Sequence, residues 1–218
     1  MKIYTHFIFS FLFLVISCKT PLVAIERTSQ NIQIQKTQND TLTELDELLK
    51  PYRDTLHLKM NAVIGFANND FKKTKPSGTL GNLVVEAVFQ KAKSLYPNTQ
   101  GAIYNYGGIR LNEIKKGEIT VGKIFEMLPF ENELVIVEVN DSIFEKWKKT
   151  LSEKGGCPIK MQEKIDFQKP IFIATIDYIA NGGDNCDFLK PCKRINTGIL
   201  IRDIMIEYIT KNTPINPQ

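Results

Sequence analysis

The stretch "IFIATIDYIANGGDN", residues 171–185, runs from an apolar segment into an aromatic ring, two glycines and a carboxylate. β-Branched and aromatic side chains dominate Ile171 to Ile176, so this segment reads as a buried strand. Asn181-Gly182 then fits a hairpin turn. The same residues also fit a ligand loop. Glycines such as Gly183 let backbone approach a guest, Tyr178 offers a flat face, and Asp184 accepts hydrogen bonds from hydroxyls. Taken alone, the stretch favours the turn.

A second stretch repeats the plan. "GAIYNYGGIR", residues 101–110, carries a short apolar strand into Asn105, a tyrosine, Gly107, Gly108 and Arg110. Around these two stretches the chain alternates between strand and helix patterns. "NAVIGFA" (61–67) and "ELVIVEV" (133–139) predict strands. Leu80, Leu83, Val84, Ala87 and Val88 recur at helical spacing after the basic loop "FKKTKPSG" (71–78). An earlier helix is expected from about Thr43 to Leu56, with Leu45, Leu48, Leu49 and Tyr52 on its apolar face. Thr120 can cap a short helix, Ser142 with Glu145 fits a capping box, and Thr197 heads a last helix, "GILIRDIMIEYI". No strict βαβ rhythm holds. The expected class is α/β of the α+β type, a mixed sheet layered by helices.

The start of the chain has a separate purpose. Lys2 precedes "FIFSFLFLVIS", an apolar run too short for a comfortable membrane span, and Cys18 follows it. Residues 1–17 are expected to be a signal peptide. "LVISC" resembles a bacterial lipobox, which implies acylation of Cys18 and a lipid-anchored place in the cell envelope. Residues 18–40, rich in Thr, Gln, Asn and Ser, predict a flexible tether before a domain over 41–218. With 28 Lys and Arg against 24 Asp and Glu, and the cations scattered, no footprint for nucleic acid exists. An exported chain permits disulfides, and Cys186 with Cys192 encloses a short loop in which the thiols either bridge or stay reduced.

Three loops carry groups able to touch a ligand: "NYGGIR", "LPFEN" and "YIANGGD". Arg110 presents a planar fork for phosphates or carboxylates. Phe130 follows a proline in a polar turn, an odd place for a core ring. Facing Tyr178, it would form a slot for a flat heterocycle. Each residue has a plainer role as well: edge-of-core packing for Phe130, a half-buried strand end for Tyr178, a surface ion pair for Arg110. It is their joint occurrence beside Gly-Gly turns that makes the ligand reading competitive.

"TLGNLVVEA", "YNYGGIRLNEIKKGEIT", "LPFENELVIVEV", "YIANGGD" and "TGILIRDIMIEYI" together resemble the C-terminal domain of bacterial and animal 5′-nucleotidases, in that family's order. The resemblance covers roughly residues 41–211. It implies a substrate-specificity domain in which Phe130 and Tyr178 sandwich a nucleobase. Asn105 and Arg110 would contact the base and the sugar or phosphate side, and Asp184 the ribose hydroxyls, with Gly107, Gly108, Asn181 and Gly183 expected among the substrate-binding residues too. Three departures stand out. Tyr106 replaces the family's first glycine, Glu131 the glycine after Phe130, and lysines alone occupy the segment before "LGN" where the family often has an arginine. They leave base stacking intact and bear on phosphate recognition.

In that family the phosphate is cleaved by a separate N-terminal domain with two metals. Such a site needs several His, Asp and Asn ligands together. The chain has two histidines, His6 in the leader and His57 on the first helix, and no "D-x-H" or "G-N-H-E" run. No catalytic or metal residue is therefore expected here. One expectation is a nucleotide- or nucleoside-binding subunit that works with a separate metallophosphoesterase chain holding the divalent metals. The other is a stand-alone envelope binding lipoprotein for nucleosides or another flat ligand.

Overall fold

A computed structural model describes residues 42–217. The expected signal peptide, Cys18 and the tether lie outside the described residues. The first described element, α1 (Leu42–Met60), is longer than its sequence pattern predicts and carries Pro51 inside. Its apolar face does not enter the core. Leu45, Leu48, Leu49, Tyr52 and Leu56 are all exposed.

Two short ribbons follow. β1 (Val63–Ala67) pairs with β5 (Gly117–Thr120), and β2 (Phe71–Lys72) with β4 (Glu113–Ile114), both antiparallel. After β2 comes α2 (Gly78–Leu95), in which every position of the expected stripe is buried. Val85, Phe89 and Ala92 are buried too, because α2 is covered on two sides, by the main sheet and by the last helix. Burying a side chain such as Leu80 stabilises the fold by about 1.5–3 kcal/mol.

The main sheet has the order β7-β3-β8-β6-β9. It is built from β3 (Thr99–Ile103), β6 (Glu133–Val139), β7 (Ile159–Met161), β8 (Ile171–Ile176) and β9 (Arg194–Leu200). β3 and β8 run parallel, and the other pairs are antiparallel. The mixed sheet expected from the sequence is observed. β8 is central, flanked on both edges and buried on both faces, which is why its sequence shows an apolar run and not alternation.

The ribbon partners β4 (Glu113–Ile114) and β5 (Gly117–Thr120) lead into α3 (Val121–Met127), capped by Thr120, whose hydroxyl accepts from the Lys123 N–H at 3.2 Å. In α4 (Asp141–Glu153) the cap is Asn140, whose Oδ1 accepts from the Ile143 N–H at 2.9 Å. The expected Ser142 box is not used. Ser142 already lies inside the first turn, and Glu145 pairs with Lys148. The short helix α5 (Asp177–Ala180) follows β8 directly, and α6 (Ile201–Asn212) closes the fold. Thr197 does not head that helix. Residues 194–200 form β9 along the open edge of β6, where half-exposed positions blur the period-2 signal, and the Thr197 hydroxyl donates to the Leu134 carbonyl at 2.8 Å.

Candidate functional site

The ends of the parallel pair β3 and β8 bring the two glycine loops to one place, and the loop between α3 and β6 joins them. Together they line a cleft of about 400 Å³ with Asn105, Gly107, Gly108, Arg110, Phe130, Asn132, Ile176, Tyr178 and Asp184. That volume lies within the roughly 300–1,000 Å³ usual for small-molecule pockets. Asn105, Gly107, Gly108, Arg110, Phe130, Tyr178 and Asp184, all marked from the sequence for substrate contact, thus meet around one space.

The loop after β3 turns through a short 3-10 segment, Tyr106–Gly108. Gly108 is required by contact: a Cβ there would stand 2.7 Å from both Asn105 Oδ1 and Tyr104 Cε1. Tyr106, in the position of a family glycine, is buried and is not part of the cleft lining. Its hydroxyl stands between the carbonyls of Thr74 and Ser77, which share its single proton, so this residue ties the basic loop to the glycine turn. The tie brings cations together. Lys73 Nζ donates to the Ile109 carbonyl at 2.6 Å and lies 5.0 Å from the Tyr106 ring centre. Burial, then the charges of Arg110 and Lys75, hold the Lys73 ammonium below the ordinary lysine range.

Phe130 and Tyr178 are 48% and 46% exposed, so each ring leaves about half its surface outside the core. The Arg110 guanidinium carbon lies 5.8 Å from the Phe130 ring centre, within cation–π range. Tyr178 sits on α5 rather than at a strand end. Asp177 starts that helix and accepts the Glu133 N–H at 3.1 Å, linking it to β6. The Tyr178 ring lies on the backbone of Gly183, and its hydroxyl donates to Asp184 Oδ1 at 3.2 Å and accepts from the Asp184 N–H at 3.3 Å. Asn105 Nδ2 donates to Asp184 Oδ2 at 2.7 Å. Asp184 and Asn185 adopt left-handed φ of 52° and 66°. Among non-glycine residues, Asp and Asn tolerate that region best, and it turns the carboxylate into the cleft.

Two expectations change here. Asn181 does not line the cleft: its Oδ1 accepts from Arg194 Nη1 at 2.8 Å, and the same nitrogen donates to the Ala180 carbonyl, so it braces the turn from outside. Gly183 supports the Tyr178 ring and does not line the cleft either. Cys186 and Cys192 are free thiols here, the reduced of the two states the sequence left open. Each thiol turns toward a carbonyl of its own local turn, Asp184 for Cys186 and Phe188 for Cys192. Burial pushes the Cys186 thiol up to about 12.

Asn132 and Ile176 are lining residues not singled out from the sequence. Asn132 lies inside the quoted "LPFEN" motif, two positions after Phe130, and hydrogen-bonds the buried Tyr104 hydroxyl, whose titration burial pushes far upward. Ile176 looks like any strand residue, and nothing in its pattern marks it. Among the described residues, no group of three His, Cys, Asp or Glu side chains could hold a metal ion. His57 is exposed on α1.

Residues 63–158 match the family model described as "5′-nucleotidase, C-terminal domain". Curated relatives include the protein UshA of Yersinia enterocolitica, 25% identical over 197 residues that cover 78% of this chain. Another is the 5′-nucleotidase of Vibrio vulnificus, 22% identical over an alignment of 227 residues that covers 89%. The chain spans only 35% and 39% of the lengths of these two relatives. Among solved structures, a 5′-nucleotidase precursor from Thermus thermophilus superposes with a TM-score of 0.65 and 25% identity, covering 78% of this chain and 40% of that one. An NAD nucleotidase from Haemophilus influenzae has the same TM-score at 14% identity, covering 81% of this chain and 40% of that one, a likeness of fold alone.

Proposed function

We propose, from the premise that residues 63–158 belong to the 5′-nucleotidase C-terminal domain family, that the cleft holds the nucleoside part of a nucleotide. The observation that carries this is the lining itself: two half-exposed aromatic rings, Phe130 and Tyr178, share one cleft with a hydroxyl-binding carboxylate, Asp184. Two half-exposed rings beside one space offer faces for a flat guest, and a base stacked on such a ring gains about 1–3 kcal/mol. Arg110 at the rim, with Lys73 and Lys75 near it, supplies the positive charge a phosphate needs.

Hydrolysis belongs to a separate metallophosphoesterase chain that holds the divalent metals, with this protein as its specificity subunit in nucleotide catabolism. The exposed leucine stripe of α1 supports the existence of a partner, since an isolated amphipathic helix of this length is marginal in water. The lipobox-like "LVISC" supports anchoring through Cys18 in a bacterial envelope, where nucleotides from outside are processed. Calorimetric titration of adenosine, uridine and their monophosphates into the purified protein tests the site. Micromolar to millimolar binding is expected, with Asp184→Ala losing ribonucleosides more than their 2′,3′-dideoxy analogues. Absence of any binding, or equal loss of both sugar types, refutes the assignment. Co-purification from native membranes, followed by nucleotide hydrolysis in the co-purified fraction and not by this chain alone, tests the partner. Hydrolysis by this chain alone after repurification refutes the division of labour.

A further inference from the structure

Arg202 is the one charged residue buried among the described residues, and no ligand-binding role explains it. It lies in the first turn of α6, the last helix of the chain. Its guanidinium carbon stacks 4.1 Å from the Phe125 ring centre. Nη1 lies 3.5 Å from the Leu128 carbonyl and 3.3 Å from the Pro129 carbonyl, and Nη2 lies 3.8 Å from Glu131 Oε1. The residue before it joins in, since the Ile201 N–H donates to the Asn132 carbonyl at 2.9 Å.

Apart from Phe125 on α3, these partners belong to one segment. Residues 128–132 run from the end of α3 into β6, and they carry Phe130. Phe130 itself is half exposed and has little packing to fix it. Its position is therefore set by its backbone, and that backbone is held from the first turn of α6. A guanidinium is well matched to this segment. It meets two carbonyls just past the end of α3, which have no helical partner, and its flat face covers an aromatic ring. The geometry also answers Glu131, whose charge in place of a family glycine would otherwise stand free beside the cleft. Arg202 is the cation it approaches.

From this arrangement we infer that Arg202 is a positioning residue for the Phe130 wall and, through that wall, sets the affinity of the cleft. It never touches the ligand. The inference rests on the nucleoside reading for its binding arm, and not for its structural arm.

The test compares Arg202→Met and Arg202→Lys in the wild-type and Phe130→Ala backgrounds. Adenosine binding is measured by calorimetry, and amide hydrogen exchange is followed by mass spectrometry. Arg202→Met should weaken adenosine binding about tenfold, and the same change should have no further effect once Phe130 is alanine. Arg202→Lys keeps the charge but loses the fork, and should fall between wild type and Arg202→Met. Exchange of residues 128–132 should quicken about tenfold in Arg202→Met while β8 stays protected. A residue that only props the core would lower the melting temperature and weaken binding by the same factor in both backgrounds, which overturns the inference. Unchanged exchange at 128–132 overturns it as well. If Arg202→Met does not fold, Arg202→Lys is read against the same outcomes. If wild type binds no adenosine, the nucleoside reading fails, and the exchange result still decides whether Arg202 holds the loop.

Discussion

Replacing Gly183 by alanine should disable one wall of the cleft without touching a lining residue. A Cβ at this position would stand 2.4 Å from Tyr178 Cε1, 2.5 Å from Cζ and 2.6 Å from Cδ1. Carbon atoms in contact sit about 3.5–4.0 Å apart, so the ring must withdraw by about 1 Å or swing away. Swinging is the easier response, because Tyr178 is half exposed and the backbone at 183 is tolerable for an L-residue. Withdrawal breaks both contacts between the Tyr178 hydroxyl and Asp184. The ligand then loses one stacked face, worth about 1–3 kcal/mol, or roughly 5- to 150-fold in affinity. The fold loses little. The melting temperature should move by no more than about 4 °C, the shift expected for ~1 kcal/mol in a domain of this size. Calorimetric titration of adenosine against wild type, Gly183→Ala, Tyr178→Ala and the double variant gives the answer. The two single changes should weaken binding alike, and the double should be no worse than either. Wild-type affinity in Gly183→Ala, or losses that multiply in the double variant, would refute the argument that glycine is there to seat the ring.

Two pH dependences follow from charge. Burial and neighbouring cations hold Lys73 below an ordinary lysine, and only its protonated form attracts a phosphate, so its contribution is present at lower pH and is lost as pH rises through the lowered pKa. The preference for AMP over adenosine should therefore shrink as pH rises, and do so before an ordinary lysine would titrate, and Lys73→Met should flatten the trend; a constant preference in wild type excludes Lys73 from anion binding. Glu207 is held at about 2, first by its hydrogen bond to Lys211 and next by that to Lys91, which joins α6 to α2. A carboxylate with a lowered folded-state pKa stabilises above its usual value near 4.5 and loses that contribution as pH falls toward 2. The side chain is 37% exposed, so salt should weaken the effect. Glu207→Gln should flatten the acid limb of melting temperature against pH, and an unchanged limb would assign acid sensitivity elsewhere.

The sequence disclosed elements whose environment is simple and hid those whose environment is shared. α2 was legible because its core face follows the helical repeat, and β8 because burial on both sides writes an unbroken apolar run. β9 was not, because an edge strand with a left-handed glycine at 198 offers no clean alternation. The cleft was largely legible, since its polar groups sit in loops where plainer roles are few. Asn181 misled because it stands inside the right motif and yet bonds outward to Arg194. Arg202 was invisible for the opposite reason. Within a helical run it reads as a surface cation, and only the tertiary approach of α6 to residues 128–132 buries it.

The contacts among Asn105, Tyr178 and Asp184 leave no bare charge at the floor of the cleft. Asp184 is already answered by an amide and a phenol, so it does not wait as an open anion that would gather stray cations from solution. A guest reaches the carboxylate by displacement, offering donors that improve on those present. Recognition of the sugar is then a competition with the protein's own side chains, and what counts is the margin between two sets of hydrogen bonds. A weak donor gains nothing by arriving. A vicinal pair of hydroxyls can meet both carboxylate oxygens at once, replacing the amide and the phenol together, whereas a single hydroxyl can replace only one of them.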